Sequence, residues 1–290
     1  MTKIEFLICG RRAFDTVKHF VKTVGAQSIS VLVTYADKSV LNDPYTELIE
    51  FSNANGIELK HKNDYIYSGN NYRIVIGWQR MIDTDNRTIV LHDSLLPRYR
   101  GFAPLVNSLC KGETSLGVTA FFASGEYDMG PIIVQRELSI KYPITILNAM
   151  EHITPLYFQI IDYVVEGIKS GDLRSTEQDE TKASYSLWRD EEDYRINWSL
   201  DAKEIERMIN AVGFPYTGAT ALLNGALVKI LSVQEEADLY IENRVPGKII
   251  FISNGHPVVA CGHGVLKIVE LIAGNGQNLL PIKKLRSRFQ

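Results

Sequence analysis

The first half of the chain alternates short apolar runs with amphipathic stretches. The runs Ile4 to Cys9 and Ser28 to Tyr35 predict two strands. Three more are predicted at IELKH, Tyr72 to Trp78 and Thr88 to His92, which are rich in isoleucine and valine and apolar on both faces, as buried parallel strands are. The stretches AFDTVKHFVKTVG and PYTELIEFSNANG have helical periodicity, and the second ends at an Asn-Gly stop signal. Strands that alternate with helices predict an α/β fold in which helices cover both faces of a mostly parallel sheet.

The second half changes in character. GVTAFFAS and PIIVQREL are strand-like runs separated by GEYDMG, and a helical pattern follows from Thr145 to Ser170. From about Lys182 the periodicity is lost, and the aromatic, charged segment that follows is typical of a functional linker. Beyond it, a short helix and strand-like runs with Asn-Gly and His-Gly turns predict a small antiparallel barrel. We therefore predict a first domain at 1–183, a linker at 184–201 and a C-terminal domain at 202–290.

Composition narrows the class of protein. Hydrophobic residues make up 45% and charged residues 22% of the 290 positions, as in a globular protein, and no window approaches the roughly 18 apolar residues of a membrane helix. The N-terminal stretch has no signal-peptide core, and three widely spaced cysteines fit neither a disulfide framework nor a zinc site. We therefore expect a cytoplasmic protein with no membrane partner and no metal. The net charge of −3 shows no basic footprint for nucleic acid.

His92 ends one of the predicted parallel strands, at the edge of the sheet where ligands bind in such folds. A lone histidine in this position is more often structural than catalytic. The loop behind it, PRYRG at 97–101, combines two guanidinium groups with a backbone that is stiffened by proline and opened by glycine. Such a loop favours the binding of a phosphate or a carboxylate over a simple turn.

Asp128 lies in the turn GEYDMG between two predicted strands, flanked by Gly125 and Gly130. An aspartate in a glycine-rich turn is often an ordinary turn residue. If its carboxylate meets His92, it instead orients the imidazole for proton transfer. The two residues together form the candidate catalytic pair.

Several segments carry a resemblance to a known family. HDSLLPRYRGFAP and GVTAFFASGEYDMGPIIVQ, with a histidine at position 92 and an aspartate at position 128, resemble the folate-dependent formyltransferases. This family includes glycinamide ribonucleotide transformylase, methionyl-tRNA formyltransferase and the sugar-nucleotide N-formyltransferases. The segment SLWRDEEDYRINWSLDAKEIERMINAVGFPYTGA is similar to the linker of the tRNA and sugar branches, and the strands beyond it resemble their C-terminal barrel. The resemblance covers nearly the whole chain.

The resemblance implies a Rossmann-like domain that binds N10-formyltetrahydrofolate and passes its formyl group to a substrate amine. His92 matches the family's proton-transferring histidine, and Asp128 matches the aspartate that orients it and helps to accept the amine's proton. The residues that the resemblance places against the folate are Gly77, Trp78, Arg80, Ser94, Leu95, Gly125 and Tyr127.

Two positions depart from the family pattern. Val90 stands where the family has an asparagine whose amide donates to the oxyanion, and a valine side chain has no donor. Losing one oxyanion donor costs about 10²–10³ in rate, so an active chain needs another donor, such as a backbone N–H or protonated His92. Phe121 replaces a histidine that is common in relatives.

Among the branches of the family, the balance of 31 basic and 34 acidic residues favours a sugar nucleotide over tRNA as the acceptor. The expected acceptor is an amino sugar linked to a nucleotide diphosphate. Arg100 suits either a phosphate contact or packing. The expected substrate contacts are Arg98, Tyr99, Trp188, Arg189, Asp193, Tyr194 and Asn197.

Two alternatives stay open. Either the chain formylates methionyl-tRNA, or it binds its ligands without turnover because of Val90. The resemblance to the sugar branch further implies a homodimer, no nucleic-acid partner, and a place in lipopolysaccharide O-antigen biosynthesis.

Overall fold

The computed structural model describes residues 3–82 and 85–290. The chain forms two compact units. The first unit consists of Met1–Leu105, Thr114–Ile140 and Ala149–Trp188. The second unit consists of Val106–Glu113, Lys141–Asn148 and Arg189–Gln290.

The first unit is built on a seven-stranded sheet. Its strands are β1 (Ile4–Ile8), β2 (Ile29–Thr34), β3 (Leu59–His61), β4 (Tyr72–Ile76), β5 (Thr88–His92), β7 (Ser115–Phe122) and β8 (Ile132–Ser139). Two short strands, β6 (Arg100–Gly101) and β9 (Tyr185–Ser186), form a separate pair. The order across the sheet is β3-β2-β1-β4-β5-β7-β8. Across the sheet from β3 to β5, adjacent strands pair in parallel, whereas β5 with β7 and β7 with β8 pair antiparallel.

Helices connect several of these strands. The helices of the chain are α1 (Arg11–Thr23), α2 (Tyr45–Ala54), α3 (Pro104–Lys111), α4 (Ile146–Ser170) and α5 (Ala202–Ala211). Every position of β1 is buried, so both faces of this central strand are covered. Phe6 packs edge-to-face on Phe20 of α1, with ring centroids 5.0 Å apart. The next residue, Leu7, belongs to a second apolar cluster with Val31, Val33 and Val75.

The strand β5 delivers His92 at its carboxyl end. There His92 pairs with Thr119 of β7, while Phe122 at the end of β7 pairs with Ile89 near the start of β5. The connection between β7 and β8, residues 123–131, therefore begins at the end of β5 that is remote from His92. It has to turn back along the strand for any of its residues to reach the histidine.

The second unit contains α5 and a five-stranded antiparallel sheet. Its strands are β10 (Ala219–Leu223), β11 (Ala226–Glu236), β12 (Ile249–Ser253), β13 (His256–Ala260) and β14 (Val265–Ala273), in the order β10-β11-β14-β13-β12. Phe289 bridges to Leu223 of β10, and Arg288 bridges to Lys248 beside β12. Because this segment bonds to both edges, the sheet is barrel-like.

These sheets confirm the predicted fold class, a mostly parallel sheet followed by a small antiparallel, barrel-like one. Cys9, Cys110 and Cys261 are free thiols, and burial raises the pKa of Cys9 and of Cys261 to about 12. Among residues 3–82 and 85–290, no helix combines the length and the apolar surface needed to cross a membrane.

Candidate active site

His92 is the last residue of β5, and its side chain is only 10% exposed. One ring nitrogen, Nε2, lies 2.9 Å from the carbonyl oxygen of Tyr99. Because a carbonyl oxygen only accepts, Nε2 carries a hydrogen and donates it. The other nitrogen, Nδ1, is therefore the one that is left to exchange a proton.

Asp128 approaches His92 from the connection between β7 and β8. Its backbone has a left-handed φ of 54°, and its Oδ2 accepts from the N–H of Gly101 at 2.7 Å. The same oxygen lies 3.7 Å from Nδ1 of His92. That separation is too long for a hydrogen bond but close enough for a direct electrostatic interaction. The structure thus brings the two side chains of the predicted pair together.

The loop that follows His92 is held by bonds from side chains to its backbone. Ser94 Oγ donates to the carbonyl of Arg98 at 2.8 Å, and Thr119 Oγ1 donates to the carbonyl of Ser94 at 2.6 Å. Farther along, the N–H of Tyr99 donates to Ser184 Oγ at 3.0 Å, and β6 pairs in parallel with β9. These bonds fix the backbone around Tyr99, whose carbonyl holds the imidazole.

Arg100 is fully buried, and its guanidinium bonds within the protein. It donates to Gln178 Oε1 at 2.8 and 3.0 Å and to the carboxylate of Glu180 at 2.7 and 2.8 Å. The hydrogen bonds between Arg100 and Glu180 raise the pKa of Arg100 and lower the pKa of Glu180. Gln178 Nε2 in turn donates to the carbonyl of Asp128 at 2.8 Å. Of its two possible roles, Arg100 therefore has the packing role.

Trp78, one of the residues expected against the folate, is half-buried just beyond β4. It packs with Val90 against the cluster around Leu7, and it meets Tyr35 edge-on at 5.2 Å. Val90 precedes His92 by two residues on the same strand, so the two side chains share a face of the sheet. This face offers an apolar wall beside the imidazole and, at Val90, no hydrogen-bond donor.

The other expected folate contacts lie on both sides of His92. Gly77 has a φ of 66°, and a Cβ there would lie 2.3 Å from the carbonyl oxygen of Cys9, so its close approach is to the chain beyond β1. The Ser94 hydroxyl donates to the backbone of the histidine loop, at the carbonyl of Arg98. The Leu95 side chain packs on Gly117, where it occupies the space that a Cβ would need. Arg80, Gly125 and Tyr127 are exposed. A role in folate binding stays a prediction for all of them.

The expected substrate contacts divide between the two units. Arg98 and Trp188 are exposed in the first unit, where the guanidinium of Arg98 lies 5.3 Å from the ring of Tyr99. The remaining four, Arg189, Asp193, Tyr194 and Asn197, belong to the second unit. Arg189 donates to Asn107 Oδ1 at 2.9 and 3.0 Å, Asp193 accepts from the N–H of Asp190, Asn197 accepts from the N–H of Ser199, and burial raises the pKa of Tyr194.

Sequence reasoning missed several residues at this site. Phe102 is 38% exposed, and its ring lies 5.8 Å from that of Tyr127, beside Asp128. Its position directly after the PRYRG loop was an available signal. Gln178, by contrast, lies 78 residues beyond Arg100 in the chain, and no sequence signal connects it to the site. Within the described ranges, no three His, Cys, Asp or Glu side chains come together to hold a metal ion.

Two family models match the chain. The model described as formyl transferase matches residues 34–155, and the model described as formyl transferase, C-terminal domain, matches residues 189–286. The chain belongs to the formyl transferase family. The first match includes His92 and Asp128, and the two matches together cover more than half of the chain.

A curated relative and two solved structures are similar to this chain. The methionyl-tRNA formyltransferase of Geobacter metallireducens is 32% identical over 184 residues, which are 63% of this chain and 57% of the relative. The chain thus spans less than two thirds of the length of the curated relatives it matches.

The two solved structures share its architecture. WlaRD, a sugar 3N-formyl transferase solved with dTDP and 5-N-formyl-THF, has a TM-score of 0.69 and 19% identity over 96% of this chain and 98% of its own. The N-formyltransferase of Helicobacter canadensis, solved with folinic acid and dTDP-3-aminofucose, has a TM-score of 0.68 and 15% identity over 96% of this chain and 100% of its own. At these identities the likeness concerns the fold.

Proposed function

We propose that this protein transfers a formyl group from N10-formyltetrahydrofolate to the amine of an amino sugar linked to a nucleotide diphosphate. The observation that carries the proposal is the pair formed by His92 and Asp128, in which Nδ1 faces Oδ2 at 3.7 Å while Nε2 is held by Tyr99. Membership of the formyl transferase family supports the reaction. The architecture shared with WlaRD supports the choice of acceptor.

The pair suits the proton transfers that this reaction needs. The folate supplies an activated formyl group, and the acceptor amine forms the new bond to its carbon. The amine has to lose a proton as it attacks, and Nδ1 of His92 together with Asp128 Oδ2 can receive it. His92 then returns a proton to the departing folate nitrogen, so that each nitrogen ends neutral. Such proton transfer is worth about 10²–10⁴ in rate.

The residues beside His92 suit a flat heteroaromatic donor. Trp78 and Val90 form an apolar wall on the same side of the sheet as the imidazole, and apolar and aromatic walls bind flat rings well. Because Val90 has no donor, we propose that the developing oxyanion is stabilised by the Nδ1–H of His92 once this nitrogen has received the amine's proton. Arg98, an exposed residue of the histidine loop, is proposed to contact the acceptor's diphosphate.

The test supplies the purified protein with N10-formyltetrahydrofolate and a panel of nucleotide-linked amino sugars. We expect N-formyl product by mass spectrometry, and we expect His92→Ala and Asp128→Asn each to lower kcat on the order of 10²–10⁴-fold. Asp172→Asn is the matched control, because it removes an exposed carboxylate that pairs only with Arg174 among the contacts described. Binding of folate without product from any amine would leave a binding protein instead of an enzyme.

Methionyl-tRNA formylation is the second candidate, because the Geobacter metallireducens relative at 32% identity has that name. The test is the same assay with charged initiator tRNA as acceptor. Faster formylation of the tRNA than of every sugar nucleotide would replace the first proposal by this one.

Two further proposals concern the molecule in its setting. We propose that the protein is a cytoplasmic homodimer and that it acts in lipopolysaccharide O-antigen biosynthesis, in keeping with its resemblance to the sugar branch. Sedimentation equilibrium of the purified protein measures the assembly directly, and a monomer at all concentrations would contradict it.

A further inference from the structure

Asp93, the residue directly after His92, is bound by side chains from two helices. Arg12 Nη2 of α1 lies 2.5 Å from Asp93 Oδ2, and the hydroxyl of Tyr157 on α4 donates to Asp93 Oδ1. The Asp93 side chain is only 12% exposed, and Tyr157 is buried. Each carboxylate oxygen is thus taken by a different helix.

This cluster is chemically self-consistent. A buried carboxylate is costly unless it is paired, and the guanidinium of Arg12 supplies a charge-assisted bond. Burial and the nearby Asp93 charge hold the pKa of Tyr157 well above its usual range, so the phenol keeps its proton and donates. The three groups therefore hold one another in a single arrangement.

The cluster is coupled to His92 through one peptide bond. The imidazole itself is fixed at Nε2 by Tyr99, and the carbonyl of His92 accepts from the N–H of Ser94 at 2.9 Å. We propose that Arg12 and Tyr157 position His92 through Asp93, by anchoring to α1 and α4 the backbone that aims Nδ1 at Asp128. The proposal deepens the proposed formyl transfer and rests on it for its kinetic readout.

A second phenol–carboxylate pair provides a matched control. Tyr65 donates to Glu5 Oε2 at 2.5 Å, and Glu5 lies near the amino end of β1, whereas Asp93 lies beyond the carboxyl end of β5. Tyr65→Phe therefore removes the same kind of bond from the opposite end of the same sheet. Any effect of Tyr157→Phe beyond that of Tyr65→Phe is therefore due to the loss of a bond to Asp93, the residue next to His92.

The experiment measures kcat, KM and Tm for Tyr157→Phe, Asp93→Asn and Tyr65→Phe, together with the imidazole ¹⁵N NMR signals. The His92 signals are assigned by their loss in His92→Gln. We expect kcat to fall on the order of 10-fold in Tyr157→Phe and up to about 100-fold in Asp93→Asn, with both KM values unchanged, because misplacement of a reacting group costs rate. We also expect the His92 signals to move in these two variants and to stay fixed in Tyr65→Phe.

The outcomes separate this proposal from the proposed function. If the wild-type protein formylates no acceptor, the proposed function fails, and the His92 signals alone decide the positioning role. Unmoved signals in both Tyr157→Phe and Asp93→Asn overturn it. If the wild type is active, a loss of kcat no greater than that in Tyr65→Phe also overturns it. Should Asp93→Asn fail to fold, Tyr157→Phe, which keeps the buried ring, carries the test.

Discussion

At the scale of residues, His92 and Asp128 are each held by a hydrogen bond to the loop at residues 99–101 while they face one another. His92 donates from Nε2 to Tyr99, and Asp128 Oδ2 accepts from the N–H of Gly101 while facing Nδ1. These fixed partners determine which imidazole nitrogen is basic without any help from a ligand. For the proposed formyl transfer, the two side chains are therefore oriented before substrate binds, and such preorganisation lowers the cost of reaching a transition state.

Val90→Asn tests whether the site lacks an oxyanion donor. We expect kcat to rise several-fold, because the new amide lies on the same face as His92 and one well-placed donor is worth about 10²–10³. We also expect a loss of about 1–3 kcal/mol in the free energy of unfolding, because the amide enters the apolar cluster around Leu7. Steady-state kinetics and urea denaturation measure the two effects.

Val90→Ala is the control, since it loses packing without adding a donor. A fall in kcat for Val90→Asn that Val90→Ala does not share would mean that the native site already has its donor in place.

At the scale of elements, the short pair β6–β9 joins the histidine loop to residues 184–186. The N–H of Arg100 donates to the carbonyl of Ser184 at 2.9 Å, and the N–H of Phe102 donates to that of Ser186 at 3.0 Å. Gly101 lies between them with a φ of 98°. Its N–H donates to Asp128 Oδ2, so the same two-residue strand both pairs with β9 and holds the carboxylate that faces His92.

Gly101→Ala is expected to weaken both roles. A Cβ at this position would lie 2.7 Å from the carbonyl oxygen of Ser186, and the left-handed backbone disfavours alanine. We expect about 1–3 kcal/mol of lost stability and a marked fall in kcat, measured by denaturation and steady-state kinetics. Gly274→Ala is the control, because a Cβ there meets nothing within 4 Å. Equal behaviour of the two variants would show that β6 tolerates a side chain.

The ion pair between Arg100 and Glu180 is expected to make stability depend on pH. Arg100 lowers the pKa of Glu180 in the folded protein, so the contribution of the pair is complete above the unfolded value of about 4.3. It is lost as the pH falls through the lower folded value. The difference in Tm between wild type and Glu180→Gln should therefore be largest near neutral pH and vanish in acid.

The control for this titration is Glu177→Gln, which changes an exposed carboxylate three residues earlier. It should leave Tm unchanged at every pH. A difference for Glu180→Gln that persists after full protonation would mean that shape, not charge, supports Arg100.

The sequence predicts the helices and strands of this fold better than it predicts the contacts between residues that are distant in the chain. Buried strands such as β1 and β5 have clear apolar patterns, and the Asn-Gly and His-Gly turns indicate the antiparallel sheet. The return of residues 123–131 along β5 has no such signal, because it depends on the antiparallel register of β7. The role of Arg100 is hidden for the same reason, since its partners Gln178 and Glu180 lie far along the chain.

At the scale of the whole molecule, the net charge favours a sugar nucleotide over tRNA as the proposed acceptor. The net charge is −3, with 31 basic and 34 acidic residues, so the long-range attraction to a polyphosphate is weak. Two or three local contacts, such as one from Arg98, are enough for a nucleotide diphosphate. A tRNA partner would need many more contacts, each of which adds to the salt dependence of binding.

Salt dependence therefore distinguishes the acceptors. We expect kcat/KM for the sugar nucleotide to fall by less than about 10-fold between about 50 and 200 mM salt. A protein that makes 6–10 phosphate contacts loses about 10³–10⁵ in affinity over the same range. Initial rates at low acceptor concentration measure this slope, and a steep one would favour the tRNA.

The pairing of β6 with β9 has a consequence for the order of assembly during synthesis. Tyr99 and Ser184, whose bond helps to close the histidine loop, are 85 residues apart in the chain. A nascent polypeptide that has emerged only as far as β8 already contains all seven strands of the large sheet. Its histidine loop still lacks the backbone partners at 184–186. A ribosome-bound intermediate of this length can therefore form the large sheet before the loop around His92 is held in place.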